Sequence, residues 1–407
     1  MRRYILPLII ATLFVNMDGA IACTSAIVSG KATPDGRPIM WKHRDTSSEN
    51  NKLLYFTGGA YAYTGMVSTG KTENSSVWMG MNSAGFAIMN TVSYNINPDG
   101  NEEGTYGEGS IMARALAECA TLEDFEKLLD ELTHPTGLAA NYGVIDAQGG
   151  AAYYETGDYQ WIKIDVNDRS VAPLGYIVKT NYSANGNMET GQGYARYLTA
   201  SDIFYRAAME NALTPEMILQ RAERSLVNGF TGDDLVSMAT EAGKVRMVHF
   251  KDNIARKTTT SSAIFKGVKP GEDPMATLMW TVCGWPLATV AYPVWMNSGN
   301  LLPSLLTAPE GENSAICDAG LAAKKAAMPI IRGHGQDYIN INMISNRNNT
   351  GYLQWIMPLE EKIIDITTEH VSGWKSTAPS VKELQELYNT IDNLIINSYS
   401  LNGIPLK

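Results

Sequence analysis

Histidine and cysteine are scarce in this chain, five and four among 407 residues. The histidines are dispersed, and no two cysteines have the close spacing of a zinc site, so neither a metal nor another cofactor is expected. Cationic side chains are also in deficit. Lys and Arg number 32 against 42 Asp and Glu, a formal charge of −10, and the basic residues are scattered. That argues against a nucleic-acid partner, which needs a clustered cationic face. Low-complexity tracts, heptad runs and repeats of fixed period are missing too. Past the first two dozen residues no apolar run approaches the roughly 20 residues of a membrane span, so the mature chain is expected to be soluble and without a transmembrane segment. What remains is an ordinary globular composition, 44% hydrophobic and 18% charged. No linker rich in Pro, Gly or Ser divides it, and one compact domain over residues 23–407 is expected.

The N-terminus reads as a leader. Met1-Arg2-Arg3 is a basic n-region, and Tyr4 to Val15 is an apolar stretch of about a dozen residues, the length of a signal-peptide core. Ala20-Ile21-Ala22 then places small residues where signal peptidase reads them. The expected cut falls between Ala22 and Cys23, with residues 1–22 removed and the protein exported to the periplasm or the extracellular space.

Strand-like runs occur at Thr24 to Val28 and Pro38 to Trp41, joined by the turn Thr33-Pro34-Asp35-Gly36. Others lie at Ser76 to Met81, Phe86 to Val92, Asn141 to Asp146, Ala151 to Glu155, Trp161 to Val166 and Tyr176 to Lys179. Helical spacing marks Ile111 to Glu118, Leu122 to Leu132 behind the cap Thr121, and the stretch from Ala195 to Ala212. Thr214-Pro215-Glu216 opens another helix. Strands return at Ser262 to Phe265, Ala276 to Cys283 and Ala288 to Val294, and a last helix spans Val381 to Ile396. Strands cluster in hairpins instead of alternating singly with helices, which favours an α+β fold of antiparallel sheets covered by helices.

Of the four cysteines, Cys119 and Cys283 lie in apolar patterns and read as buried small hydrophobes. Cys23 is different. A thiol needs a base to become a nucleophile, and a cysteine at position one of a processed chain carries its own. The free α-amine has an ordinary pKa of about 7.7 to 8.0, so much of it is neutral near pH 7. Leader removal would then expose amine and thiol together. Two rival readings stand beside this one. Ala20-Ile21-Ala22-Cys23 is tolerable as a lipobox without its usual Leu, in which case acylation would block the amine and anchor the protein. Alternatively, Cys23 is structural and its position accidental.

Cys23-Thr24-Ser25, followed after the turn by Trp41-Lys42-His43-Arg44-Asp45, resembles the N-terminal hairpin of the linear amide C–N hydrolases, the choloylglycine hydrolase group of N-terminal-nucleophile hydrolases. Within that group it is closest to the acyl-CoA:6-aminopenicillanic acid acyltransferase branch. The resemblance implies a four-layer αββα sandwich of two antiparallel sheets. It gives Cys23 as nucleophile and Asp45 as the carboxylate that orients the catalytic amine. Lys42 stands where the family has Arg, and His43 where it has Asn. Both fall at substrate-orienting positions, and a lysine keeps the charge without the bidentate fork. The run ending Val178-Lys179-Thr180-Asn181 is similar to the family strand whose asparagine meets the oxyanion, a role worth roughly 3 kcal/mol of barrier. Gly193-Tyr194-Ala195-Arg196 resembles the family's arginine at a helix start, so Arg196 would hold the cluster together or pair with Asp45. Asn82-Ser83-Ala84-Gly85-Phe86-Ala87-Ile88-Met89-Asn90 is similar to a further family strand at a different spacing, making Asn90 a second amide donor.

The activity implied is cleavage of a linear amide in a small molecule through a thioacyl intermediate. Transfer of the same acyl group to an amine, a non-catalytic binding lipoprotein and an inactive family member remain alternatives, and a homo-oligomer is left open. Tyr61-Ala62-Tyr63, Trp78 to Met81 and Trp280 to Trp295 read either as acyl-pocket walls or as plain core strands.

Overall fold

The computed structural model describes residues 22–100, 102–373 and 378–406. The expected leader therefore lies, up to residue 21, outside the described residues. In chain order the elements are β1 (Thr24–Val28), β2 (Ile39–Asp45), β3 (Asn51–Phe56), β4 (Tyr63–Ser68), β5 (Met79–Asn82), β6 (Ala87–Val92), α1 (Glu108–Glu118) and α2 (Leu122–Asp130). Then follow β7 (Ala140–Ile145), β8 (Ala151–Thr156), β9 (Trp161–Asp165), β10 (Tyr176–Lys179), α3 (Tyr194–Met209) and the short turn α4 (Pro215–Met217). The rest comprises β11 (Met247–His249), β12 (Thr259–Lys266), β13 (Leu278–Cys283), β14 (Tyr292–Trp295), α5 (Ala315–Ala327), β15 (Tyr338–Asn340), α6 (Ile341–Ile344), α7 (Tyr352–Gly373) and α8 (Val381–Leu401). Among the described residues no helix is long and apolar enough to cross a membrane.

Two antiparallel sheets carry the structure. One has six strands in the order β10-β1-β2-β12-β13-β14, the other seven in the order β3 to β9. Ile27 and Met40 of the first sheet meet Met79, Met81 and Met89 of the second in the layer between them. The outer face of the seven-stranded sheet packs Phe86, Ile88, Tyr142 and Val144 against Ile111, Leu116 and Phe125 of α1 and α2. On the other side Trp41 stacks on Phe204 of α3, and Tyr292 lies against Tyr388 of α8. Helix, sheet, sheet, helix is the αββα order expected from the resemblance.

Local chemistry explains the elements that were legible. The Thr121 hydroxyl accepts from the Asp124 main-chain N–H, and the Asp124 carboxylate accepts in return from the Thr121 N–H, a reciprocal cap that starts α2. Thr214 caps a turn with Pro215 at its first position, but that helix ends after three residues and passes into a π turn, Ile218–Ala222. The expected strand over Ala288 to Val294 shrinks to Tyr292–Trp295. Its earlier part is fully buried, yet the N–H groups of Val290 and Ala291 donate to Tyr399 Oη at 3.1 Å and Glu360 Oε2 at 2.9 Å. Side chains from α8 and α7 thus replace a neighbouring strand. Sequence reading did not anticipate β3, β4, α5 or α7. In β3 the buried Lys52 pairs with Glu73 at 3.2 Å and donates to the Pro309 carbonyl, so a polar residue fills a core position. In α7 an internal Pro358 obscures the periodicity.

Two facing glycines, Gly65 of β4 and Gly80 of β5, keep this part of the sheet tight, and Gly80 allows the close approach of α1. A Cβ on Gly80 would lie 2.6 Å from the Thr64 carbonyl oxygen and 2.8 Å from Leu116 Cδ1 of α1. Gly80→Ala is therefore expected to lower stability by about 2 kcal/mol, as overpacked interiors do. Urea unfolding with an unchanged midpoint would contradict this packing.

Candidate active site

Cys23 comes immediately before β1, the strand held between β10 and β2. The register sets Thr24 opposite His43, and Ser25 opposite both Lys42 and Lys179. One short strand is thereby flanked by the segment Lys42–Asp45 on one side and, two residues past the end of β10, by Asn181 on the other. Cys23 is buried, and its main-chain N–H donates to Asn181 Oδ1 at 2.9 Å. Asn181 is fixed from two further directions: its Nδ2 donates to the Val92 carbonyl at 2.9 Å, and its backbone bridges to Gln192. Arg196, in the first turn of α3, completes the frame. Its Nη1 donates to the Cys23 carbonyl oxygen and to Thr24 Oγ1 at 2.8 Å, while Nη2 donates to Asn181 Oδ1 at 2.7 Å. Gly193 makes room for this guanidinium. It adopts φ +89°, and a Cβ there would lie 2.4 Å from Nη2, so both backbone and space demand glycine.

Asp45 is wholly buried. Its Oδ1 accepts from Thr259 Oγ1 at 2.7 Å and its Oδ2 from Arg256 Nε at 2.9 Å. The carboxylate expected to hold the Cys23 nitrogen is thus turned to the loop before β12, and the nitrogen goes to Asn181. The main-chain N–H of Asp45 instead favours the Cys23 thiolate. Arg256, not Arg196, is the partner of Asp45.

Strand alternation separates the two neighbours Lys42 and His43. Lys42 reaches the seven-stranded sheet, where Nζ donates to the Trp78 carbonyl at 2.7 Å and to Asn90 Oδ1. His43 sits on the opposite face beside Trp41, ring centroids 6.1 Å apart. His43, read as substrate-binding, is not among the residues that line the cavity at Cys23. The period-two pleat that brings Lys42 in turns His43 away.

The cavity at Cys23 measures about 170 Å³ and is lined by Lys42, Arg44, Asp45, Thr46, Trp78, Asn90, Val92 and Glu108. Arg44 lies over the Trp78 ring, 4.7 Å from its centroid, with Nη1 donating to Asn51 Oδ1 and Nη2 to Ser68 Oγ. Met79 and Met81 belong to the inter-sheet core, and Trp280 and Trp295 line a different hollow with Arg37 and Lys266. Of the aromatic segments considered as pocket walls, Trp78 alone borders the Cys23 cavity. Burial pushes the Cys23 thiol up from its ordinary range. The Asp45 carboxylate adds to that rise, while the Lys42 ammonium, the Asp45 main-chain N–H and Arg44 pull it down. The arrangement places a thiol, a nearby cation and the Asn90 carboxamide around one small hollow, with a second carboxamide, Asn181, on the Cys23 nitrogen, the parts an acyl-transferring thiol requires.

The family model of acyl-coenzyme A:6-aminopenicillanic acid acyl-transferase matches residues 32–244, just over half of the chain. The chain belongs to this family. The family takes its name from an acyl-transfer reaction. No curated protein matches it. Among solved structures, it is similar to a variant of conjugated bile acid hydrolase from Clostridium perfringens at 13% identity and a TM-score of 0.40, over 69% of this chain and 94% of that one. Penicillin V acylase from Agrobacterium tumefaciens is similar at 15% identity and a TM-score of 0.39, over 67% and 86% of the two chains. The Caenorhabditis elegans ortholog of N-acylethanolamine-hydrolyzing acid amidase covers 47% of this chain and 86% of its own, at 15% identity and a TM-score of 0.33.

Arg256, Thr259 and Glu108 escaped sequence reading. Arg256 is 211 residues from Asp45, and no local pattern signals such a pair. Glu108 looks like the acidic residue that ordinarily opens a helix.

Behind β2 lie two buried titratable groups, Glu223 and a His43 with no hydrogen-bond partner at either ring nitrogen. Burial lowers His43 to about 4 and raises Glu223 to about 8. The signs oppose. A depressed histidine contributes stability that is lost as pH falls from its ordinary 6.5 toward 4. A raised carboxyl contributes stability present below its ordinary 4.5 and lost as pH climbs through 8. Glu223→Gln should therefore raise the thermal midpoint relative to wild type at pH 8 and leave it level at pH 4. An equal gap at both pH values would show that Glu223 ionisation is not the cause.

Proposed function

We propose that the protein is an exported cysteine amidohydrolase, activated when cleavage before Cys23 turns that residue into an N-terminal nucleophile. The supporting observation is that both functional groups of residue 23 are already engaged by the site. The nitrogen is hydrogen-bonded to Asn181, and the thiol lines the cavity with Lys42. While Ala22 is attached, that nitrogen is an amide with no basic lone pair. Ala22 is itself buried beside it, so its removal would create a base and open space at the same place.

In the processed enzyme the α-amine takes the thiol proton. The thiolate attacks the substrate carbonyl carbon, and the negative charge on oxygen meets amide protons of Asn181 and Asn90 not spent elsewhere. Collapse expels the amine, which leaves with the relayed proton, and a thioester remains on Cys23. Water attacks the thioester, giving the acid and the free thiol. An amine in place of water would give acyl transfer, the reaction in the family's name, through the same intermediate. Asp45, held by Arg256 and Thr259, fixes the end of β2 and with it the main-chain N–H that favours the thiolate. At about 170 Å³ the hollow is smaller than the roughly 300 to 1,000 Å³ of pockets for drug-sized ligands, which favours a short acyl group on a small-molecule amide.

N-terminal sequencing of exported protein should read Cys-Thr-Ser, and quenched turnover should trap an acyl group on Cys23. Cys23→Ala should abolish turnover while leaving the fold intact. Mature protein that begins elsewhere, stays active as Cys23→Ala or carries a lipid on Cys23 would sink the proposal.

A further inference from the structure

One wall of the cavity is built by a gap in the seven-stranded sheet. β5 begins at Met79, paired with Met89 of β6, so Asn90 has no β5 residue across from it. Lys42, rooted on β2 of the other sheet, enters this opening and donates to the Trp78 carbonyl and Asn90 Oδ1. Two of the three ammonium protons are thereby used, and the third is left in the cavity that Lys42 and Cys23 both line. On the far side, Asn90 Nδ2 donates to Glu108 Oε2, from the first turn of α1. A carboxamide between a cation and a carboxylate has its flip fixed: oxygen must face Lys42 and nitrogen must face Glu108. The second Nδ2 proton then remains for the cavity.

We propose that Glu108 is a positioning residue of the Cys23 reaction: through the Asn90 carboxamide it holds the Lys42 ammonium in the gap beside β5, facing the thiol. The inference rests on the cysteine mechanism proposed above. Glu108 acts through Asn90 and Lys42.

Electrostatics follow the same line. Burial lowers Lys42 to about 8; the Cys23 thiolate and Glu108 oppose that, and Arg44 adds to it. Burial pushes Glu108 up to about 7, against the pull of Lys42 and the Asn90 hydrogen bond. Tyr94 and Tyr142 also feel Glu108. Lys42 is charged below its midpoint, so removing the Glu108 charge moves that midpoint, and the alkaline limb of activity, to lower pH.

The test uses E108Q, which keeps the length and an acceptor oxygen, and E108A, which keeps neither. In processed protein, the Lys42 midpoint is read by NMR of its Cε, and the pH profile of kcat/KM on an amide that wild type cleaves. In E108Q both should shift acidward by on the order of one pH unit, with kcat reduced and KM little changed. E108A should show the same shift and a further loss of kcat, since Asn90 is then free to flip. If E108Q fails to fold, Asn90→Ala cuts the same bridge from the strand and must move the Lys42 midpoint. An unmoved midpoint in a folded variant overturns the inference. So does a wild type that works through Cys23 and whose profile ignores E108Q, and that result spares the mechanism. A wild type with no amide turnover and no acylation of Cys23 overturns the mechanism and this inference with it.

Discussion

The Asn181 carboxamide is the point to which the whole site is referred. Its oxygen accepts from the Cys23 nitrogen and from Arg196, and its nitrogen donates to the end of β6. Four elements from both sheets and the outer helical layer thus meet on one planar group whose orientation cannot reverse without losing every bond. Because β1 is hydrogen-bonded on both edges, the residue before it has little freedom. Cys23 is placed by the sheet, then locked by Asn181. The surrounding charges could not be tolerated in a looser frame, since a buried ion without its partner is costly by several kcal/mol.

Three buried ion pairs tie distant segments together: Lys179 binds Glu155 across the two sheets, Arg224, just past the π turn, binds Glu360 of α7, and Arg256, before β12, binds Asp45 at the end of β2. Each cation lies far from its anion in sequence, so each pair fixes tertiary position more than local structure. Arg224 and Glu360 also serve the main chain, Arg224 donating to the Thr289 and Pro286 carbonyls while Glu360 accepts from Ala291 N–H. These buried ions do the hydrogen bonding that a strand would otherwise do in the stretch before β14.

How much of this was legible in the sequence depends on how local the cause is. The Thr33–Gly36 turn, the Thr121 cap and the alternating runs of β6 to β8 announce themselves because the physics acts over a few residues. The site residues on the first hairpin and after β10 were legible through the resemblance, since Cys23, Lys42, Asp45, Asn181 and Arg196 fall in short motifs. Their contacts were less so. Nothing in the sequence says that Asp45 turns to Arg256, or that β2 aims Lys42 at one sheet and His43 at the opposite helical layer. β3 escaped because its fully buried end begins with two polar residues, Asn51 and Lys52, and Lys52 lies inside only through tertiary partners, Glu73 and the Pro309 carbonyl. Glu108 escaped because an acidic first turn is so common on helices that it carries no message until the neighbouring strand is known to stop short.

That early stop of β5 has a meaning of its own. Most enzymes enlarge or reshape a pocket by exchanging side chains on a fixed backbone. Here the opening is made by strand length: one more paired residue before Met79 would seal the window, while one fewer would widen it by a full pleat. The hairpin that carries the sulfur would feel neither change, because it belongs to the other sheet. Relatives built on the same plan could therefore diverge in what they accept by lengthening or trimming a single edge of backbone, with the reactive machinery left as it stands.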